Sequence, residues 1–171
     1  MHPKPIKPAS ENIHIRPATP GDLDQILYLF KDTIIHTCSN DYNADQIRVW
    51  TASAENRQSW IKRIEEHYFL VAEKNNFLTG FASLRKNDYI DVMYISKDYQ
   101  RQGIAFNLLN KLEIKALSLD SKKLETDASI TARPFFEKQG YCVIKENHHV
   151  LSGVDIMNYR MSKNLIYNRI L

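Results

Sequence analysis

Cysteine is scarce in this chain. There are two, Cys38 and Cys142, far apart, which argues against a disulfide framework and a cysteine zinc site. A reduced, cytoplasmic protein is the simplest expectation. Long apolar runs are missing too, and no stretch approaches the roughly 20 residues of a membrane-spanning helix. The opening MHPKPIKPAS carries three prolines and no apolar run. It does not read as a secretory signal but as a mobile leader, residues 1–11, ahead of one domain over 12–171. None of the six histidines falls in a His-Glu-x-x-His pattern. His148 and His149 are adjacent, would point to opposite faces of a strand, and read as surface residues; no metal is expected. There is no Gly-x-Ser-x-Gly elbow. Nor does one sign of charge dominate: Lys plus Arg is 23, Asp plus Glu is 20, and the net charge is +3. A pI near 8.8 permits an anionic cofactor but is too mild and dispersed to make nucleic acid the expected partner. Lys122-Lys123 and Tyr159-Arg160 read as solvated positions.

What is present fits one globular domain. The chain has 171 residues, 43% of them apolar, and a chain this long buries roughly 70% of its unfolded surface. Asn12–Arg16 alternates as a strand. After a break at Pro17–Gly21, Asp22 can cap a helix whose apolar residues are Leu23, Ile26, Leu27, Phe30 and Ile34. Two short helices follow, Ala44–Thr51 and Glu55–His67. Tyr68–Glu73, Phe77–Arg85 and Tyr89–Ile95 read as strands, and their short polar links imply antiparallel hairpins. Ile104, Leu108, Leu109, Leu112 and Ala116 lie on one helical face. Lys123–Ala128 reads as a strand, Thr131–Lys138 as a short helix ended by Gly140 in a left-handed conformation, and Tyr141–Ile144 with Val154–Met161 as two closing strands. The sum is an α/β domain with a mixed, mostly antiparallel sheet flanked by helices.

Only five glycines occur, so their places are informative. Gly103 sits in Gln100-Arg101-Gln102-Gly103-Ile104-Ala105, after a strand and at the opening of the most amphipathic helix. A helix start offers unpaired N–H groups and partial positive charge. Glycine permits close backbone approach, Ala105 is small, and Arg101 suits phosphate. These features make an anion site, although a plain strand-to-helix turn would show the same spacing. The pattern is neither Gly-x-x-x-x-Gly-Lys nor Gly-x-Gly-x-x-Gly, which argues against a nucleoside-triphosphate hydrolase and a nicotinamide dehydrogenase.

Gln100-x-x-Gly103-x-Ala105 resembles the Gln/Arg-x-x-Gly-x-Gly/Ala signature of the GNAT superfamily of N-acetyltransferases, and Met93-Tyr94-Ile95 resembles the strand segment before it. Ser129-x-x-Ala132 followed by Phe135-Phe136-Glu137-Lys138-Gln139-Gly140-Tyr141 is similar to the family's second landmark, Asn-x-x-Ala…Phe-Tyr-Glu-Lys-x-Gly-Phe. The resemblance spans about residues 12–163. It implies the GNAT (acyl-CoA N-acyltransferase) fold with fourth and fifth strands splayed apart, and an acetyl-CoA site between them. Pyrophosphate would lie on Gln100, Arg101, Gln102, Gly103, Ile104 and Ala105, with Phe106 just beyond. The pantetheine arm would lie along Met93, Tyr94 and Ile95. Ser129 stands where the family often has a cofactor-binding Asn, and Phe136 where it has a tyrosine able to protonate the leaving thiolate.

Acetyl transfer to an amine needs positioning, a base and carbonyl polarisation. Asp91 is the first candidate base, because family members often carry a carboxylate there and a carboxylate inside an apolar strand is unusual. Alternation would put Asp91 with Met93 on one face and Ile90 with Val92 on the other. A surface Asp paired with Arg or Lys is the alternative, and Glu125 is the rival carboxylate. Tyr141 is a second catalytic candidate, against its reading as a core aromatic. Cys142 reads as an apolar strand filler. The first helices would line the acceptor pocket, where Tyr42 and Trp50 are the candidates, and aromatics with an acid suit a small cationic amine. The expected activity is therefore acetylation of a primary amine. A non-catalytic acyl-CoA-binding module remains open, as does a macromolecular amine (a protein terminus or an aminoacyl-tRNA). A two-fold homodimer is the generic expectation.

Overall fold

The computed structural model describes residues 13–165. The expected leader, residues 1–11, and the last residues of the expected domain, 166–171, lie outside the described residues. In chain order come β1 (His14–Pro17), α1 (Leu23–Thr37), α2 (Ala44–Ala52), α3 (Arg57–Glu66), β2 (Tyr68–Lys74), β3 (Phe77–Arg85), β4 (Tyr89–Ile95), α4 (Ile104–Ser118), β5 (Lys123–Ser129), α5 (Arg133–Lys138), β6 (Cys142–Leu151) and β7 (Val154–Asn164). One sheet runs in the order β1-β2-β3-β4-β5-β7-β6. Every neighbouring pair is antiparallel except β4–β5, which is parallel.

The central strands are buried on both faces, as their dense apolar sequence requires. On β2, Leu70 and Ala72 face a core shared with Leu108, Leu109 and Leu112 of α4 and Phe136 of α5. Phe69 and Val71 face the opposite core, with Ile26, Phe30 and Ile34 of α1 and Trp60 and Ile64 of α3. A smaller cluster of Cys38, Tyr42, Val49 and Ile156 fastens the α1–α2 region to β7. Asn43 and Gln46 form a reciprocal capping box at the start of α2. Asn56 accepts the Ser59 N–H at the start of α3.

Several local expectations are revised. β6 continues to Leu151, well beyond the expected Ile144, although Lys145-Glu146-Asn147-His148-His149 is a polar, poor strand former. Its ladder to β7 supplies the backbone hydrogen bonds that composition does not advertise. Tyr141 precedes the strand rather than starting it, and Cys142 is exposed on this edge strand rather than filling apolar space. Gly140 has the left-handed φ of +87° expected after α5.

Asp22 does not cap α1 with its side chain. Its carboxylate accepts hydrogen bonds from Thr19 N–H (2.7 Å) and Thr19 Oγ1 (3.1 Å), and a bidentate pair from Arg16 at 2.9 Å to each oxygen. The guanidinium holds the Asp22 carboxyl down at about 2. A depressed carboxyl adds stability that is complete above the ordinary carboxylate range and is lost as pH falls from about 4 toward 2. Asp22→Asn should therefore cost about 1–2 kcal/mol at neutral pH, allowing for solvent screening. Urea unfolding should show the gap between variant and wild type shrinking across that window.

Candidate active site at the parting of β4 and β5

β4 and β5 pair at only two positions, Tyr89 with Glu125 and Ile90 with Thr126. The junction is sewn by Thr126 Oγ1 donating to the Ile90 carbonyl (3.1 Å) and Glu125 N–H to the Asp88 carbonyl (2.8 Å). Beyond it the strands separate. On its other side β4 remains paired with β3 through Val92, Met93, Tyr94 and Ile95. The ladder shifts between Ser83–Val92 and Leu84–Ile90, so Asp91 is an unpaired bulge residue. The bulge overturns the expected alternation. Ile90 and Met93 face the α4 core, Val92 faces the α1–α3 core, and the Asp91 carboxylate reaches Arg63 at the end of α3.

A cavity of about 510 Å³ occupies the parting. One wall is β4 from Asp91 to Ile95, and the other is β5 from Thr126 to Ser129 with α5. At its mouth are Gln100, Arg101, Gly103, Ile104, Ala105 and Phe106. Gly103 holds φ +79° and a Cβ there would meet nothing within 4 Å, so the constraint is backbone conformation rather than room. α4 begins immediately after it and leaves its first N–H groups without intrahelical partners. Gly80 lets α4 lie close on the sheet: a Cβ there would come within 2.7 Å of Ile95 and 3.3 Å of Ile104 side-chain atoms. Gln100 Nε2 donates to Thr37 Oγ1 (3.1 Å), tying the loop to the end of α1. Gln102 alone of the loop does not line the cavity; its amide donates to the Asp98 carbonyl.

A second cavity of about 270 Å³ lies on the face of β5, β7 and β6 beside α2. It shares Trp50, Asp91, Tyr94, Asp127 and Ser129 with the first, so the two meet at the parting. Tyr42 lines the second cavity only, its hydroxyl donating to Met157 O (2.8 Å) and accepting from Ile130 N–H (2.9 Å). Burial pushes that phenol up to about 12. Trp50 packs edge-on against Tyr42 at 5.2 Å. Tyr94 is wedged between Phe30 and Phe81. Burial raises its pKa, so it stays a neutral phenol. Ser129 Oγ accepts the Ala132 N–H (3.0 Å), which holds the turn into α5.

The carboxylates are paired. Asp91 takes Arg63 Nε at 2.9 Å, with His67 Nδ1 at 3.7 Å and Arg85 Nη1 at 3.9 Å. Burial lowers the His67 pKa, which favours the neutral imidazole. Glu125, the rival carboxylate, pairs with Lys123 and Arg160 and lines neither cavity. On β5 the acid that lines both is Asp127, two residues on. It accepts from Arg160 Nε (2.6 Å) and Nη2 (3.1 Å), Tyr89 OH (2.8 Å) and Asn147 Nδ2 (2.8 Å). The sequence reasoning passed over Asp127, yet its period-two spacing with Ser129 places both on one face of β5. Phe136 lines the first cavity, buried against Phe135 and Tyr141. Tyr141 lines neither. Its hydroxyl donates to Glu113 (3.2 Å), and burial with that carboxylate raises its pKa. The catalytic expectation for Tyr141 is not carried forward.

A model of the acetyltransferase (GNAT) domain matches residues 38–163, most of the chain and both walls of the parting. The chain belongs to the GNAT acetyltransferase family. It is 35% identical over 150 residues to the uncharacterized N-acetyltransferase YafP of Escherichia coli (strain K12), covering 88% of this chain and 95% of that protein. A GCN5-related N-acetyltransferase from Rhodopseudomonas palustris superposes with a TM-score of 0.87 at 28% identity, covering 93% of this chain and 99% of that one. The PaiA N-acetyltransferase of Thermoplasma acidophilum, solved with coenzyme A, shares the fold at 19% identity, with a TM-score of 0.74 over 90% of this chain and 99% of that one.

Asp127 joins four strands through one carboxylate. Asp127→Ala leaves Tyr89 OH and Asn147 without that acceptor and Arg160 with only Glu125. Chemical denaturation should show a loss of about 2–4 kcal/mol, with a smaller loss for Asp127→Asn.

Proposed function

We propose that the protein transfers the acetyl group of acetyl-CoA to a small primary amine. The observation that carries this reading is the parting of β4 from β5, with an anion-suited helix start at one mouth and a second, aromatic-lined cavity meeting it from the other side. The larger cavity lies within the roughly 300–1,000 Å³ of small-molecule sites. Its fit to a CoA thioester is chemical. The helix start and Arg101 would take the pyrophosphate. The β5-facing edge of Met93, Tyr94 and Ile95 would pair with the amide-bearing pantetheine arm as an added strand would. The coenzyme A found in the Thermoplasma neighbour supports the same cofactor class. Bound there, acetyl-CoA supplies an activated acetyl group.

The residues of this chain then orient and deprotonate the acceptor. Asp91 is the proton acceptor in this reading, directly or through water, because it lies where the two cavities meet. Arg63 Nε donates to its Oδ2 and holds the carboxylate in place. A backbone N–H of Met93–Ile95 would polarise the thioester carbonyl. Phe136 has no proton to give, so the thiolate takes its proton from water or from the incoming amine.

Two measurements test the assignment. Gly103→Glu puts a side chain at a left-handed φ and a negative charge beside the loop; calorimetry should show acetyl-CoA binding lost in a folded variant, and unchanged affinity would remove the phosphate-loop role. Asp91→Asn keeps the shape of the bulge but removes the base. It should lower kcat by about 10²–10⁴-fold while leaving acetyl-CoA affinity nearly unchanged, and a normal rate across the pH range would move the base elsewhere.

A further inference from the structure

The second cavity has a chemical character that narrows the acceptor. Asp91 and Asp127 are its only carboxylates among the described residues. Both are already countered, one by Arg63 and the other by Arg160. Asp127 has no acceptor capacity to spare: Oδ1 takes Arg160 Nε and Asn147, and Oδ2 takes Tyr89 OH and Arg160 Nη2. On Asp91, Oδ2 takes Arg63, while among the described residues Oδ1 has the Arg85 guanidinium alone, at 3.9 Å. One carboxylate oxygen is therefore left to receive one ammonium. Arg85 stacks on Tyr89 at 4.5 Å and adds a positive charge beside Asp91 without lining either cavity. The rest of the wall mixes rings and hydrocarbon, from Tyr42, Trp50, Leu151 and Ile156, with the polar side chains of Ser129 and Asn158. His149 adds an imidazole to the same wall. At about 270 Å³ the space falls just below the usual range for drug-sized ligands.

We infer that the acceptor is a monocationic primary amine with a flat apolar body, and that the charge-compensated wall discriminates against polyamines. This inference rests on the acetyl-transfer reading and adds the acceptor class to it. A second ammonium would find no further carboxylate among the described lining residues, while Arg63, Arg85 and Arg160 add positive charge beside the two aspartates from outside the cavity, and burying it unpaired is costly. An amine whose body is an aromatic ring fills the space between Tyr42, Trp50 and Ile156, and its single charge meets Asp91 Oδ1.

The test uses the full chain saturated with acetyl-CoA and reads thiol release with phenethylamine, putrescine, spermidine and tetra-alanine. Phenethylamine should exceed each of the others by about ten-fold or more in kcat/KM. Arg85→Ala removes one cation beside Asp91. It should raise the putrescine-to-phenethylamine ratio about five-fold, because the second ammonium of putrescine feels one fewer positive charge nearby while the shared first ammonium cancels in the ratio, with acetyl-CoA affinity unchanged. Arg85→Gln gives the same readout should the alanine variant fail to fold. Preference for spermidine, putrescine or tetra-alanine overturns the inference, as does an unchanged ratio in both Arg85 variants. Acetyl-CoA binding in calorimetry without release by any of the four overturns the acceptor class alone. Absence of acetyl-CoA binding overturns the acetyl-transfer reading itself.

Discussion

Parallel strands β4 and β5 hold together for two residue pairs and then part, and the rest of the molecule is arranged around that constraint. Separating strands inside a sheet strips backbone groups of their partners, which is costly unless something else takes them. The separation is therefore pinned on both sides. Thr126 and Asp88 lock the junction from below. Asp127 gathers Tyr89, Asn147 and Arg160, so that β4, β6 and β7 hold β5 in its diverging path. The bulge at Asp91 bends β4 where the strands part. What remains is a strand edge without a strand beside it, flanked by a helix start, and such an edge is suited to a ligand that carries amides and phosphates.

The same arrangement governs the charges. Neither carboxylate at the parting is alone, and each has an arginine from a different element against it, Arg63 from α3 and Arg160 from β7. Those pairs tie both carboxylates to the scaffold. The aromatic lining contributes shape and low polarity, and Tyr94 and Tyr42 stay neutral phenols because burial disfavours their ionised forms.

Much of this was legible in the sequence, for physical reasons. Period-two and period-3.6 patterns marked the central strands and α4 because those elements bury large apolar faces. Gln100-x-x-Gly103-x-Ala105 and the run from Ser129 to Tyr141 pointed to the family because they resemble its two landmarks at the family's spacing. Other features were not legible. The bulge at Asp91 depends on register with β3, and Tyr89-Ile90-Asp91-Val92-Met93 contains nothing that breaks alternation. The extension of β6 through Lys145–Leu151 depends on its partner β7 rather than its own composition. Asp127 was passed over for Glu125 because only the position where the strands part decides which carboxylate on that face reaches the cavity. The pairing of Asp91 with Arg63 joins residues distant in sequence, and no local pattern announces it.

The most direct measurement is a crystal structure of the protein grown with coenzyme A. The account predicts density with the pyrophosphate on the N–H groups of residues 100–105, the pantetheine arm along Met93–Ile95 and the thiol where Asp91, Tyr94 and Ser129 meet. Coenzyme A bound elsewhere on the molecule, with the parting of β4 and β5 free of it, would contradict the account.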